Sequence, residues 1–410
     1  MTSSRRIAVS CRRRALAVIS SALILFPPLA TAQETDTPPA AALTEADYAA
    51  LVARIVDEHV LPTVDRLKAR AATLSAALDA ACAAPSPATL STARAAFAET
   101  VIALAALEPL RFGPLVEENR YERLAFWPDP RGLGLRQVQA LLAAEDEAAL
   151  APGALATKSV AVQGLTALEF VLHGTGSEAL LAPADAPSAT SRDKPATSPP
   201  TPATNPATAT TSSPPSSYRC RYGAALADNV SALAAAVGTG WRTGSGRLFF
   251  EPGPDNPLFL THQEAAGEII AGMATALEVL SDQKIKTILA ESPERARPKL
   301  APFWRSGQTF PAMTATLQSI AEETQRLGIA ANVADDSRWL ANAIALELRS
   351  ATAAVQSLPA ESVETAYTDQ TFRARLDYIR IAASSLKATI GQELSSSLGL
   401  EQGFNSLDGD

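Results

Sequence analysis

Three side chains with chemical capacity sit inside an otherwise apolar segment, Gly164-Leu165-Thr166-Ala167-Leu168-Glu169-Phe170-Val171-Leu172-His173-Gly174. Wound at about 100° per residue, Leu165, Leu168 and Leu172 form one stripe and Ala167, Phe170 and Val171 cover much of the rest. Thr166, Glu169 and His173 then fall in a single wedge roughly 60° wide, at helical spacings of three and four. A helix that is apolar nearly all round is a buried helix, and a carboxylate there needs a partner, a metal or a proton. Two readings follow. In one, Glu169 pairs with an arginine and the wedge is satisfied inside the fold. In the other, Glu169, Thr166 and His173 line a pocket for a ligand or cation, and Glu169 and His173, four residues apart, share one metal ion.

The nearest source of arginines is the proline- and glycine-rich stretch between Phe112 and Gly134. Arg111, Glu117, Arg120, Arg123, Asp129 and Arg131 crowd there beside Trp127. Arg111 or Arg120 placed next to Glu169 would hold its carboxyl ionised; alternatively each arginine pairs with acids of its own segment. Other chemistry is sparse. His-Glu-x-x-His zinc helices, Gly-x-Ser-x-Gly elbows and glycine-rich phosphate loops are all missing from the sequence. His59 and His262 lack partners at metal-ligand spacing, and His262 with Glu264 and Glu268 reads as a helix-start face. Asp408 and Asp410 could bind a cation or belong to a docked tail.

The elements that must carry these residues are helices. Of 410 residues, 47% are hydrophobic and only 5% aromatic, with alanine-rich stretches poor in β-branched residues. Thr44 and Asp47 resemble a capping box, followed by Leu51, Ile55, Val56, Val60 and Leu61 at helical period, with Pro62 expected to kink or divide that helix. Another helix is expected from about 88 to 109, with Leu90, Phe97, Val101, Leu104 and Leu107 inward, and two more near 135–149 and 157–173. Nine of the 35 residues from Pro183 to Ser217 are proline, and none is aromatic. That composition reads as an extended disordered insertion. Helical patterns resume near 219–238, 259–289, 310–327, 336–357 and 369–398. The expectation is an all-α protein of two antiparallel helical bundles, residues 33–182 and 218–410, joined through the 183–217 insertion.

Residues 1–32 read as a secretory signal: Arg5, Arg6, Arg12, Arg13 and Arg14, an apolar run from Ala15 to Phe26, and Ala30-Thr31-Ala32 before Gln33. Its removal would leave 30 basic against 43 acidic residues, an acidic protein of the periplasm or cell envelope with no nucleic-acid surface. No later apolar run approaches the ~20 residues of a membrane span, so no transmembrane anchor is expected after cleavage. Cys11 would leave with the signal. Cys82 and Cys220 then remain as either a disulfide or two free thiols, the former favoured in an oxidising compartment.

The chain resembles the imelysin family of periplasmic and cell-surface proteins. The likeness is carried by Arg111-Phe112-Gly113-Pro114, Phe126-Trp127-Pro128-Asp129-Pro130-Arg131-Gly132, Gly164 through Gly174, Trp304-Arg305-Ser306-Gly307 and Gly403-Phe404-Asn405-Ser406-Leu407-Asp408-Gly409-Asp410. The resemblance implies two helical bundles with a site between them, and a setting of iron uptake or iron regulation. It also implies that Cys82 and Cys220 meet where the bundles join. The family is named for an insulin-cleaving metallopeptidase with the signature Gly-x-His-x-x-Glu. Gly164 and Glu169 match it, but Thr166 stands at the histidine, and a hydroxyl is a poorer ligand for zinc or iron than imidazole. The resemblance therefore points to an exported protein binding a small ligand, a divalent or ferric ion, or an envelope partner. A metallopeptidase using Glu169 and His173 is one alternative, and a structural interaction protein without a metal site is another.

Overall fold

The computed structural model describes residues 43–181, 217–359 and 362–400. The 1–32 segment read as a signal, nearly all of the 183–217 insertion and the Gly403–Asp410 stretch lie outside the described residues. Among those described, every regular element is helical.

The longer helices are α1 (Glu45–Ile55), α2 (Leu61–Ala83), α3 (Pro87–Ala105), α4 (Leu133–Ala144), α5 (Leu165–His173), α6 (Tyr218–Thr243), α7 (His262–Glu278), α8 (Thr309–Leu327), α9 (Trp339–Gln356) and α10 (Gln370–Ala388). Their starts are written locally. Thr44 and Asp47 form the reciprocal cap of α1, Ser86 caps α3 with Pro87 at its first position, and the Thr261 side chain accepts from Glu264 N ahead of α7. The break expected at Pro62 takes the form of a π-helical turn over Val56–Val60, which leads from α1 into α2 without leaving the helical backbone region. A wider turn absorbs the i→i−4 bond that proline cannot make.

α2, α3, α5 and α6 pack as one group, and α7, α8, α9 and α10 as another, with α3 touching α8 between them. The groups interleave in sequence. α1 lies on α7 and α8, while α6, the helix directly after the insertion, runs along α2 and α5. The apolar faces expected from spacing form the core: Leu51, Ile55, Val56 and Val60, and Leu90, Phe97, Val101, Leu104 and Leu107, are all buried. Cys82, near the end of α2, is bonded to Cys220 in the first turn of α6. No helix among the described residues is long and apolar enough to cross a membrane.

Three titratable groups in this core set opposing pH dependences. His59 is buried against Ser319, and burial, then Arg66 and Arg326, pushes its pKa down to about 4. Burial, then Arg94, does the same for His173, also to about 4. Below pH ~6.5 the unfolded chain takes up protons that the folded chain refuses, so stability falls as pH drops from there toward 4. Glu323 is fully buried on α8 with neither carboxyl oxygen partnered among the described residues, and burial pushes its pKa well up. Here the unfolded chain releases a proton above pH ~4.5 that the folded chain keeps, and stability is lost as pH rises. Urea unfolding across pH 4–8 is expected to show both limbs. His173→Leu should flatten the acid limb, and Glu323→Leu should stabilise at pH 7; unchanged slopes in both variants would rule this assignment out.

Candidate functional site

Glu169 sits in the middle of α5 and is 1% exposed. α5 is held at both ends by groups from outside it. Gly164, at its N-terminus, lies against the backbone carbonyls of Arg123 and Leu124. At its C-terminus the last carbonyls meet two arginines: Arg94 donates to Leu172 O (3.0 and 2.8 Å), and Arg219 to Val171 O (3.0 Å) and to Phe170 O (2.6 Å), which also accepts from Gly174 N. Cationic donors belong at that end of a helix, where the last carbonyls have no internal partner. The carboxylate is thus carried on a rigid element.

Its partners come from 137 residues away. Ser306 donates to Glu169 Oε1 through both its backbone N (3.0 Å) and its Oγ (2.8 Å). Arg305 brings Nη1 to 4.0 Å from Oε2. The segment is turned so that it can do this: Phe303 has φ of +56°, Gly307 of +71°, and Phe303 O accepts from Gln308 N. A phenylalanine in left-handed backbone is strained, and such positions persist only where surroundings enforce them. Burial pushes the Glu169 pKa up; the Ser306 hydrogen bonds and the Arg305 charge oppose it. The guanidinium of Arg305 lies 4.5 Å over the Trp304 ring and 5.6 Å over Phe170. Burial lowers its pKa, with Glu169 counteracting.

Together these groups wall a cavity of about 150 Å³. α5 contributes Thr166, Glu169 and Phe170; the 126–134 loop contributes Trp127 and Asp129; the 299–305 segment contributes Lys299 and Arg305. Asp129 is held by the helix it precedes, accepting from Leu133 N and Gly134 N at 2.8 Å each, and Trp127 Nε1 donates to Leu300 O at 2.8 Å. Three segments far apart in sequence, all of them stretches carrying the family likeness, meet here.

The residues picked out by spacing separate in space. Thr166 faces the cavity with Glu169, and its Oγ1 is buried with no partner among the described residues. His173 does not line it. Its ring packs against Phe97 at 5.7 Å, and its buried Nε2 also has no partner among the described residues. Arg111 and Arg120 are not beside Glu169. Arg111 binds Glu122 at 3.0 Å and covers the Tyr121 ring at 4.0 Å, while Arg120 binds Glu117 (2.8 Å), Glu118 (3.0 Å) and Pro114 O (2.8 Å). Each finds an acid within its own segment. Sequence reasoning missed Arg305 and Ser306 as site residues; the only signal was their place in the Trp304–Gly307 stretch.

A model of the imelysin family, classed as peptidase M75, matches residues 60–390. The chain belongs to the imelysin family. Among solved structures, an imelysin-like protein from Psychrobacter arcticum 273-4 superposes with a TM-score of 0.67 at 17% identity, covering 88% of this chain and 98% of that one. A protein of Parabacteroides distasonis ATCC 8503, named as an iron-regulated protein A precursor, gives 0.58 at 13% identity, with coverage of 85% and 96%. At such identities these likenesses speak for the imelysin fold alone. No curated protein matches the sequence.

This donor set is poorly suited to a metal held in the imelysin manner. Glu169 Oε1 is already doubly hydrogen-bonded and Oε2 faces a guanidinium. Thr166 supplies a hydroxyl where an imidazole would stand. Among the described residues no three His, Cys, Asp or Glu side chains gather closely enough to hold an ion. A transition-metal site needs three or four such ligands, so these residues do not fit a tightly held metal.

Proposed function

We propose that this imelysin-family protein is exported through its 1–32 segment and works in the cell envelope as a binding protein for iron handling. In this reading its pocket takes an anionic small ligand rather than a bare metal ion. Arg305 carries the proposal. Its guanidinium lines the cavity between two aromatic faces, and its contact with Glu169, at 4.0 Å, is too long for a hydrogen bond. Five donors in a planar fork are then available to a carboxylate, and Lys299 on the same wall adds a second cation. The Thr166 hydroxyl, lacking a partner, would donate to or accept from the same ligand. Glu169, bound by Ser306, keeps Arg305 in position. The iron setting rests on the name of one structural neighbour, and an anionic chelate joins that setting to this pocket chemistry.

Calorimetric titration of the purified mature chain with ferrous, ferric, zinc and copper ions, citrate and ferric citrate tests this. Citrate or its ferric complex is expected to bind, with at least about a tenfold loss in Arg305→Gln, the scale of one charged hydrogen bond. Saturable uptake of a bare ion that disappears in Glu169→Ala would instead establish a metal site and defeat the proposal. Fractionation of cells expressing a C-terminally tagged chain should find it in the periplasm with Gln33 at its new N-terminus; a cytoplasmic, unprocessed chain would defeat the export reading.

A further inference from the structure

Behind the wall formed by Phe126, Trp127, Pro302 and Phe303 lies a second, larger cavity of about 390 Å³. Its lining combines apolar surface with four charged side chains: Glu108, Arg111, Glu122 and Lys284. Lys284 and Glu108 are 5% and 3% exposed and come from segments 176 residues apart. Lys284 Nζ meets Glu108 Oε2 at 2.5 Å, and Thr316 Oγ1 donates to the same oxygen at 2.8 Å. Lys284 is carried on a π-helical run, Val279–Lys286, whose backbone is pinned where Tyr367 Oη donates to Lys284 O at 2.6 Å. π-Turns of this kind are frequent at functional sites, and an ion pair buried at a desolvation cost is weak support for stability.

The unused capacity of this group indicates what it would hold. Lys284 has three N–H donors and one acceptor, Glu108, among the described residues. Arg111 uses Nη2 on Glu122 Oε1 and lays its plane over Tyr121, which leaves the rest of its fork without an acceptor among the described residues. Glu122 Oε2 meets no donor among the described residues. Two cations and two carboxylates balance, so a ligand bearing a single charge would leave the cavity charged, whereas one bearing both signs would not.

We infer that this cavity is a second ligand site of the protein, built for a small zwitterion with an apolar side chain, of the class of a free α-amino acid. The ligand carboxylate lies on Lys284 and Arg111, its ammonium on Glu122, and its side chain against Trp127 and Phe303. The site stands apart from the Arg305 pocket, and the aromatic wall between them is common to both.

Titration of the full mature chain with L-phenylalanine and L-leucine, beside 3-phenylpropionate and phenethylamine, tests the assignment. Each of the last two carries one of the two charges. The amino acids are expected to bind, and both truncated probes to bind at least about tenfold more weakly, since each loses a charged hydrogen bond. Glu122→Gln should cost L-phenylalanine a similar factor and strengthen 3-phenylpropionate, whose single negative charge then balances the cavity and meets an Arg111 released from Glu122. The Glu122 side chain is partly exposed, so this variant should fold, and circular dichroism melts verify it. Arg305→Gln should leave amino-acid binding intact, which separates this site from the anion pocket. No binding of either amino acid, equal binding of 3-phenylpropionate, or loss of binding in Arg305→Gln would each overturn the assignment.

Discussion

Removing the Cys82–Cys220 disulfide is expected to produce the largest loss of stability of the substitutions considered. The bond links residues 138 apart in sequence, and closing so long a loop restricts the unfolded chain far more than the folded one. In the chain-entropy account the loss approaches about 5 kcal/mol at 25 °C. For a fold of this size that lowers the melting temperature by on the order of 10 °C. The position sharpens the effect. Ser217 caps α6 by accepting from Cys220 N, so the cross-link ties the first turn of α6 to the end of α2. Since α6 packs on both α2 and α5, fraying of that turn would loosen the support of Glu169. Thermal melts of the oxidised chain and of Cys82→Ala/Cys220→Ala provide the comparison. Coincident melts, or free thiols in the purified protein, would remove the argument.

The disulfide also shows which parts of this molecule could be read from residues alone. Two cysteines left in a chain read as exported suggest a bond by chemistry, without any knowledge of packing. Long helices are legible for a comparable reason: the period of Leu90, Phe97, Val101 and Leu104 is a local property, and α3 buries all four. The stretch read as a helix over 157–173 was not local in that sense. Only Leu165–His173 is α-helical, and short 3-10 turns at Ala154–Thr157 and Val160–Val162 precede it. The chain there must turn back beneath α4 and α6, and that packing overrides the apolar helical spacing of the stretch.

The site was legible in half. A lone carboxylate in an apolar helix announces that it is buried and needs a partner, and Glu169 is both buried and partnered. Which arginine faces it could not follow from spacing, because the contact spans the two helix groups. Arg111 and Arg120 stand nearer in sequence, but Glu122 and Glu117 stand nearer still. Arg305 has Glu169 as its acidic partner and aromatic faces on either side, an arrangement that exists only after the fold has formed. The same holds for His173. A helical wheel puts it within reach of Glu169's ligands, yet the end of α5 turns it toward Phe97.

Gly164→Ala is expected to destabilise the protein by at least about 3 kcal/mol and to abolish binding at the Arg305 pocket. A Cβ at this position would press on the carbonyl oxygens of Arg123 and Leu124, and on the carbonyl carbon of Leu124, all backbone atoms. No side-chain rotation relieves that contact, so the start of α5 must move, and overpacking against fixed backbone is costly. The displacement is carried directly to the site. Glu169 lies five residues on, and its bonds to Ser306 at 2.8 and 3.0 Å tolerate little shift. Gly267→Ala provides the control. Gly267 lies in α7, where an added Cβ meets no atom within 4 Å, and alanine there should stabilise by up to about 1 kcal/mol through helix preference. Urea unfolding of both variants, together with citrate titration, measures the contrast. A Gly164→Ala protein that unfolds with the wild type would show that α5 can slide past the 123–124 carbonyls, and Glu169 would then not be held as rigidly as the anion pocket requires.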